Sequence, residues 1–297
     1  MKNFNSEKTT ETVLSYLFIA PAVLLVVILL LIPMAQNVYL SFFDWNGIID
    51  PVYVGFGNFV KFFSDEVFIR SLINTLLWVA FEVIWSVSIG LLIAVFVRGL
   101  IGENFFKSVF FLPLSISFVS TGAIWMYMLS KDYGVVNDIL SLFGVHQKVA
   151  WLFQVPLNTI SMMFALSWQQ LGGHMVLFLM GLTSIPKDII EASQIDGCNK
   201  WQTFLHVTFP MLKPITTVVV GMAIVNSFKT FDIIYLMTRG GPIRSSETMA
   251  VTMFIEAFQR SNMGYGAAIS VFLSILILPI SAIYIRSMSK TYTMDSK

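Results

Sequence analysis

Few side chains in this 297-residue chain are equipped for covalent chemistry. Its one cysteine, Cys198, excludes an intrachain disulfide, and His146, His174 and His206 lie far apart without metal-ligand spacing. No nucleophile–base pair stands out, and no Gly-x-x-x-x-Gly-Lys-[Ser/Thr] loop is present to cradle a nucleotide phosphate. The informative residues are polar groups set into apolar stretches, together with one long polar insert. Asn74 and Glu82 fall within an apolar run, where an ionisable group usually faces a bundle interior or a watery path. Glu82 either lines such a path or acts as structural glue, protonated or paired with Lys229 or a neighbouring subunit. Lys229 and Asp232 stand three residues apart with Asn226 one turn earlier, so they either pair along one helix face or line a path for a solute. Trp168 and Gln169 open a WQQLGGH run in the middle of another apolar stretch. The indole could stack on a sugar ring and the amide hydrogen-bond to it; the plainer reading is packing. Gly172 and Gly173 either break a helix at a transport site or let two helices approach closely. His174 beside them reads as structural.

Across the chain that carries these groups, 56% of the residues are hydrophobic, only 12% are charged, and the mean hydropathy is +0.78. The charged share is about half that of a soluble globular protein. The composition predicts an all-α integral membrane protein, with no basic run for nucleic acid. Apolar runs at 14–34, 72–97, 108–129, 157–183, 215–237 and 266–285 predict six transmembrane helices, with Pro21 and Pro33 kinking or ending the first. Residues 1–12 and 291–297 read as tails around a single transmembrane domain over 13–290. The loop at 131–156 carries a short helical pattern around 135–143. Placing both termini in the cytoplasm collects Lys2, Lys8, Arg98, Lys107, Lys187, Lys200, Lys213, Arg286, Lys290 and Lys297 on that side. Seven basic residues fall opposite, an excess with the sign of the positive-inside rule.

The insert is Ser184–Pro214, on the cytoplasmic side in that topology. Pro186 suits the start of a helix, and Asp188 and Glu191 complement its positive end. Ile185, Ile189, Ala192 and Ile195 recur at helical spacing, and Gly197 can take the left-handed residue that ends the helix. Trp201, Phe204, Leu205 and Thr208 begin a second stripe that Pro210 and Pro214 close. The insert predicts two short amphipathic helices around a glycine turn, built to dock on something in the cytosol.

Glu191-Ala192-Ser193, Gly197 and Pro210 resemble, in type and spacing, the Glu-Ala-Ala signature of ABC-importer permeases. Ser193 stands for the second alanine, Val207 for an isoleucine and Phe209 for a leucine. The stretches 53–79, 168–197, 228–242 and 257–270 are similar to the carbohydrate-uptake branch of that family, so the likeness covers nearly the whole chain. The resemblance implies the type I ABC-importer permease fold, six spans plus a cytoplasmic coupling helix, in a bacterial inner membrane. It implies a second homologous permease, two copies of a cytoplasmic ATPase that bind ATP and Mg, and an extracytoplasmic solute-binding protein. It places Glu191, Ala192, Ser193, Asp196, Gly197 and Pro210 at the ATPase contact, and leaves Asn74, Glu82, Trp168, Gln169, Asn226, Lys229 and Asp232 as candidates for the solute pathway. No catalytic residue, metal or bound cofactor is expected of this chain. The competing expectation is a stand-alone ion-coupled transporter using Glu82 and Lys229.

Overall fold

The computed structural model describes the backbone of residues 3–294 and, within it, the side chains of Thr12 and residues 14–286. Residues 1–2 and 295–297, with Lys2, Lys297 and the ends of both expected tails, lie outside the described residues. The described residues are mostly helical. Helix α1 runs over Asn3–Val26 and continues through a π-turn at Val27–Leu31 into Ile32–Leu40. A two-stranded hairpin follows, β1 (Phe43–Asp44) against β2 (Val52–Tyr53), and then one helical turn at Gly57–Lys61. Helix α2 spans Glu66–Val97 with a π-turn at Glu82–Ser86. Helix α3 (Glu103–Phe111) runs into a 3-10 turn at Leu112–Ser115, and α4 (Phe118–Met128) and α5 (Val135–Leu142) follow. The second half comprises α6 (Leu157–Thr183), α7 (Lys187–Ile195), α8 (Lys200–Met211, with a π-turn at Phe204–Thr208), α9 (Lys213–Phe228) and α10 (Asp232–Met237). Helices α11 (Met249–Gln259) and α12 (Met263–Met294) close the chain.

Among the described residues three helices are long and apolar enough to cross a membrane: Leu14–Leu40 of α1, all of α2, and Met263–Arg286 of α12. The number rises to five if the bent pairs α3/α4, at 99°, and α8/α9, at 68°, each count as one span. The expected count of six also needs α6, which is 27 residues long, roughly 40 Å, but has the polar run at its centre.

Several expected boundaries move for identifiable reasons. Neither Pro21 nor Pro33 ends α1. The π-turn just before Pro33 widens the helix where the proline ring would meet the carbonyl four residues back. Helix α2 begins six residues earlier than its apolar run, because the Asp65 carboxylate caps it by accepting from the N–H groups of Val67 and Phe68. The third span is broken at Leu112–Ser115, which contains Pro113, and restarts where Ser117 caps α4. The expected fifth span stops at Phe228; Lys229 is the C-cap of α9, and Asp232 is the first residue of α10.

The chain divides into two compact units. The first, residues 1–61 and 255–271, is tied by Asn58, whose amide donates to the carbonyls of Ser41 (2.9 Å) and Phe43 (2.8 Å). Phe42 meets Phe56 edge-on and Phe59 at a tilt, and Gly264 lets its backbone meet the Phe43 carbonyl where a Cβ would collide. The apolar window of α1 has no residue buried within the chain.

The second unit, residues 62–254 and 272–297, has a core in which Met175, Phe178 and Leu182 of α6 meet Val87 and Ala94 of α2, with Leu212, Val219 and Ala223 behind. Between membrane helices, lipid competes with apolar side chains on equal terms, so close packing at small residues carries the association. Gly90 provides it toward α6, since a Cβ there would lie 2.5 Å from that of His174.

Candidate functional site

The insert folds as two helices around a glycine turn. Pro186 precedes α7 in extended conformation (φ −58°, ψ 134°), and Gly197 is left-handed at φ +86°. The Gly197 N–H reaches the Gln194 carbonyl at 3.1 Å and the Cys198 N–H that of Ser193 at 3.0 Å, the paired bonds of a Schellman motif. Asn199 and Gln202 then form a capping box that starts α8. Ser193 is 7% exposed; its hydroxyl donates to the Ile190 carbonyl at 2.7 Å and lies 3.1 Å from the hydroxyl of buried Thr203. The serine that replaces the signature's second alanine therefore bonds one helix of the turn to the other.

The outward face of this pair is bare. Glu191, Ala192, Asp196, Gly197 and Pro210 are exposed. Of the two predicted stripes only Ile185 and Thr208 are buried; Ile195 is 86% exposed and Trp201 69%. Sequence spacing identified the stripe but not which side it faces: Ile190 and Ser193 turn inward instead. Gly197 is needed for its backbone angle, since a Cβ there would meet nothing within 4 Å. Proline 210 does not close α8 but sits within it, directly after the π-turn.

The polar candidates in the spans separate into two groups. Asn226, Lys229 and Asp232 come together, exposed, around a cavity of about 250 Å³ also lined by Phe118, Gln170 and Phe231. No ion pair joins Lys229 to Asp232, because the helix break between them removes the shared face expected at that spacing. Gln170 was passed over in favour of its neighbour Gln169. One helix position, about 100°, separates the two, and only the packing of α4 and α9 around α6 decides which one faces the cavity.

The remaining candidates are built into the scaffold. Asn74 is buried and its amide donates to the carbonyls of Ser245 (2.8 Å) and Glu247 (2.9 Å). Gln169 is buried and donates to the Ile116 carbonyl at 2.5 Å, across the break that follows α3. Trp168 packs edge-on against Trp125, with ring centroids 5.9 Å apart. Glu82 is 1% exposed and forms no ion pair with a lysine among the described residues; the titratable side chain beside it is His174, with Nε2 3.9 Å from Oε1, and His174 Nδ1 lies 3.2 Å from the Ser86 hydroxyl. Of the structural roles open to Glu82, an ion pair with Lys229 is not formed. Helix α6 runs unbroken through the WQQLGGH run. Gly172 is there for close approach: a Cβ would lie 2.6 Å from the Phe110 carbonyl carbon and 2.8 Å from the Phe111 Cα.

A third feature had only a turn signal in the sequence. Residues 238–249 form a compact knot held by both halves of the unit. Asn158 donates to the Gly241 carbonyl at 2.9 Å, the Met249 N–H donates to the Thr75 hydroxyl at 2.9 Å, and Thr248 donates to the Thr230 carbonyl at 2.8 Å. At its centre Glu247 is fully buried, gripped by Arg244 through Nε at 2.5 Å and Nη2 at 2.9 Å and by Thr252 at 2.7 Å. Such a bidentate grip needs the fork of an arginine.

Apolar helices, a polar cavity among them and an exposed helix pair beyond their ends define a multi-pass membrane protein. Residues 86–289 match the family described as the binding-protein-dependent transport system inner membrane component, and the chain belongs to that family. It is thus a permease component of a binding-protein-dependent importer rather than an enzyme. It is 35% identical over 276 residues to the osmoprotective compounds uptake permease protein GgtC of Synechocystis sp., covering 91% of this chain and 97% of that one. It is 34% identical over 271 residues to the probable starch degradation products transport system permease protein AmyD of Thermoanaerobacterium thermosulfurigenes, covering 91% and 92%. Its fold is that of a chain in the crystal structure of a bacterial alginate ABC transporter in complex with an alginate pentasaccharide-bound periplasmic protein, with a TM-score of 0.81, 22% identity and 94% of both chains covered. The stand-alone ion-coupled alternative gains no support from any of these.

Proposed function

We propose that this chain is one permease half of an ATP-driven importer that takes up a sugar or oligosaccharide delivered by an extracytoplasmic binding protein. In this reading six spans, with the bent pairs and α6 each counted once, put both termini in the cytoplasm of a bacterial cell. A second homologous permease completes the pathway, and two cytoplasmic ATPase subunits hold ATP and Mg. The observation that carries the proposal is the bare apolar face of α7 and α8 around the Gly197 turn. An exposed stripe of that kind on a rigidly capped helix pair calls for a partner surface. Glu191, Ala192, Ser193, Asp196, Gly197 and Pro210 belong to that contact, Ser193 from within.

Closure of the ATPase dimer moves the helix pair as one piece, because the Ser193–Thr203 bond and the Schellman turn join its two arms. The motion passes through the bend at Leu212 into α9, whose far end carries Asn226 and Lys229 at the cavity. There the amides of Gln170 and Asn226 and the charges of Lys229 and Asp232 offer donors and acceptors to sugar hydroxyls. The starch-product and alginate transport named for two of the similar proteins supports a carbohydrate. Glu82, buried beside His174, serves as scaffold.

The test is Glu191→Arg in the reconstituted importer. The expected result is loss of ATPase association and of ATP-driven uptake, with membrane insertion intact. Uptake that survives the change and collapses instead with the ion gradient would refute the reading.

A further inference from the structure

We propose that the groove between α9 and the second half of α12 is a binding site for an anionic phospholipid, whose acyl chain fills the groove and whose headgroup sits on Lys213. The inference rests on the membrane placement of the chain and not on which solute or ATPase it serves.

The groove has a volume of about 470 Å³ and is almost wholly apolar, with Val220, Ile224 and Ile283 among its walls. Gly221 makes its floor: a Cβ there would lie 2.8 Å from Cγ of Tyr284, so the missing side chain lets the tyrosine ring lie against the backbone of α9. The groove starts at Phe209, Pro210 and Lys213, where the polar insert meets the apolar helix, and reaches Ile224. Eleven residues of helix separate Lys213 from Ile224, roughly 16 Å. An apolar channel that long, running inward from the membrane border, has the dimensions of a lipid tail rather than of a solute.

Charge selects the headgroup. Lys213 is the one charged residue among those lining the groove, is exposed, and makes no ion pair among the described residues. An ammonium at the mouth of an apolar slot, at the level of the headgroups, attracts a phosphodiester that carries net negative charge over a zwitterionic one. The position is also mechanically informative. Lys213 is the first residue after the 68° bend between α8 and α9, so a lipid held there braces the bend through which the helix pair connects to α9.

The experiment uses the complete importer in nanodiscs of equimolar phosphatidylglycerol and phosphatidylcholine, released and weighed by native mass spectrometry. The expected result is selective retention of phosphatidylglycerol, reduced about fivefold by Lys213→Gln, the share of one interfacial lysine. Val220→Trp, which fills the groove, is expected to remove retention while the complex stays monodisperse. Excess inorganic phosphate should displace nothing, since the acyl chain supplies most of the binding. Equal retention of the two lipids, retention unchanged by both substitutions, or displacement by phosphate would overturn the proposal. So would a cysteine at Ile283, in a Cys198→Ser background, that cross-links to the second permease or to another copy of this chain, because the groove would then have a protein occupant.

Discussion

Replacing Gly172 by alanine tests the reading of the WQQLGGH run as a packing seam. The added Cβ would stand 2.6 Å from the carbonyl carbon of Phe110 and 2.8 Å from the Cα of Phe111. Carbon–carbon contacts settle at about 3.5–4.0 Å, so the deficit is on the order of 1 Å. The obstacle is backbone, which no rotamer change can relieve, and α3 must move away from α6. Overpacking of this kind costs about 1–3 kcal/mol, and this site belongs at the upper end. Alanine's better helix propensity returns up to about 1 kcal/mol, leaving a net loss of about 2 kcal/mol. At about 2 °C per kcal/mol for a chain of this size, Tm in detergent should fall by roughly 4 °C. Gly173→Ala is the internal control. Its Cβ would find nothing nearer than a Leu114 methyl at 3.4 Å, so the propensity gain stands alone and Tm should hold or rise slightly. Fluorescence-detected size exclusion after heating reads both. Equal shifts for the two alanines, or none for Gly172→Ala, would refute the seam and return the glycines to the role of helix breakers.

Arg244→Met leaves the carboxylate of Glu247 buried without its cation and should destabilise by about 3–5 kcal/mol. Arg244→Met/Glu247→Leu should recover most of that loss in the same thermal assay. Ser193→Ala strips the Thr203 hydroxyl of its partner and should cost about 1 kcal/mol, a loss that Thr203→Val in the same chain cancels in a double-mutant cycle. Gln170→Ala should raise the KM for uptake about fivefold, one hydrogen bond's worth, without changing ATPase association, whereas Gln169→Ala should act on Tm and not on KM.

The polar insert was legible from residue types because its devices are local, a proline before the helix and a glycine at the left-handed position; the Asn199–Gln202 capping box is just as local and was missed. The apolar spans were legible because bilayer thickness sets a length. Tertiary contacts were not. Spacing offered Lys229 and Asp232 either a shared helix face or a solute path, and the bend between them removes the shared face; it offered Glu82 either a path or a structural role, and only the fold shows the side chain buried. Gln169 and Gln170 are chemically identical, and nothing short of the fold tells which faces the cavity. The knot at 238–249 left one faint signal, two adjacent glycines before a proline; its buried Arg244–Glu247 grip joins residues that in sequence look like ordinary surface charges.

The π-turns at Val27–Leu31, Glu82–Ser86, Phe204–Thr208 and Ile255–Gln259 each hold one residue more than the helix around them needs. That surplus residue rotates everything downstream by about 100°. In α2 it is what lets Asn74 reach the 245–247 carbonyls from one end while Gly90 lies against His174 at the other. A deletion inside Glu82–Ser86 would therefore heal as perfectly regular helix and still misalign the protein, swinging Gly90 off its seam and a bulkier neighbour onto it. The length of this chain is in that sense a gear ratio: a single tooth removed far from either end changes which faces mesh.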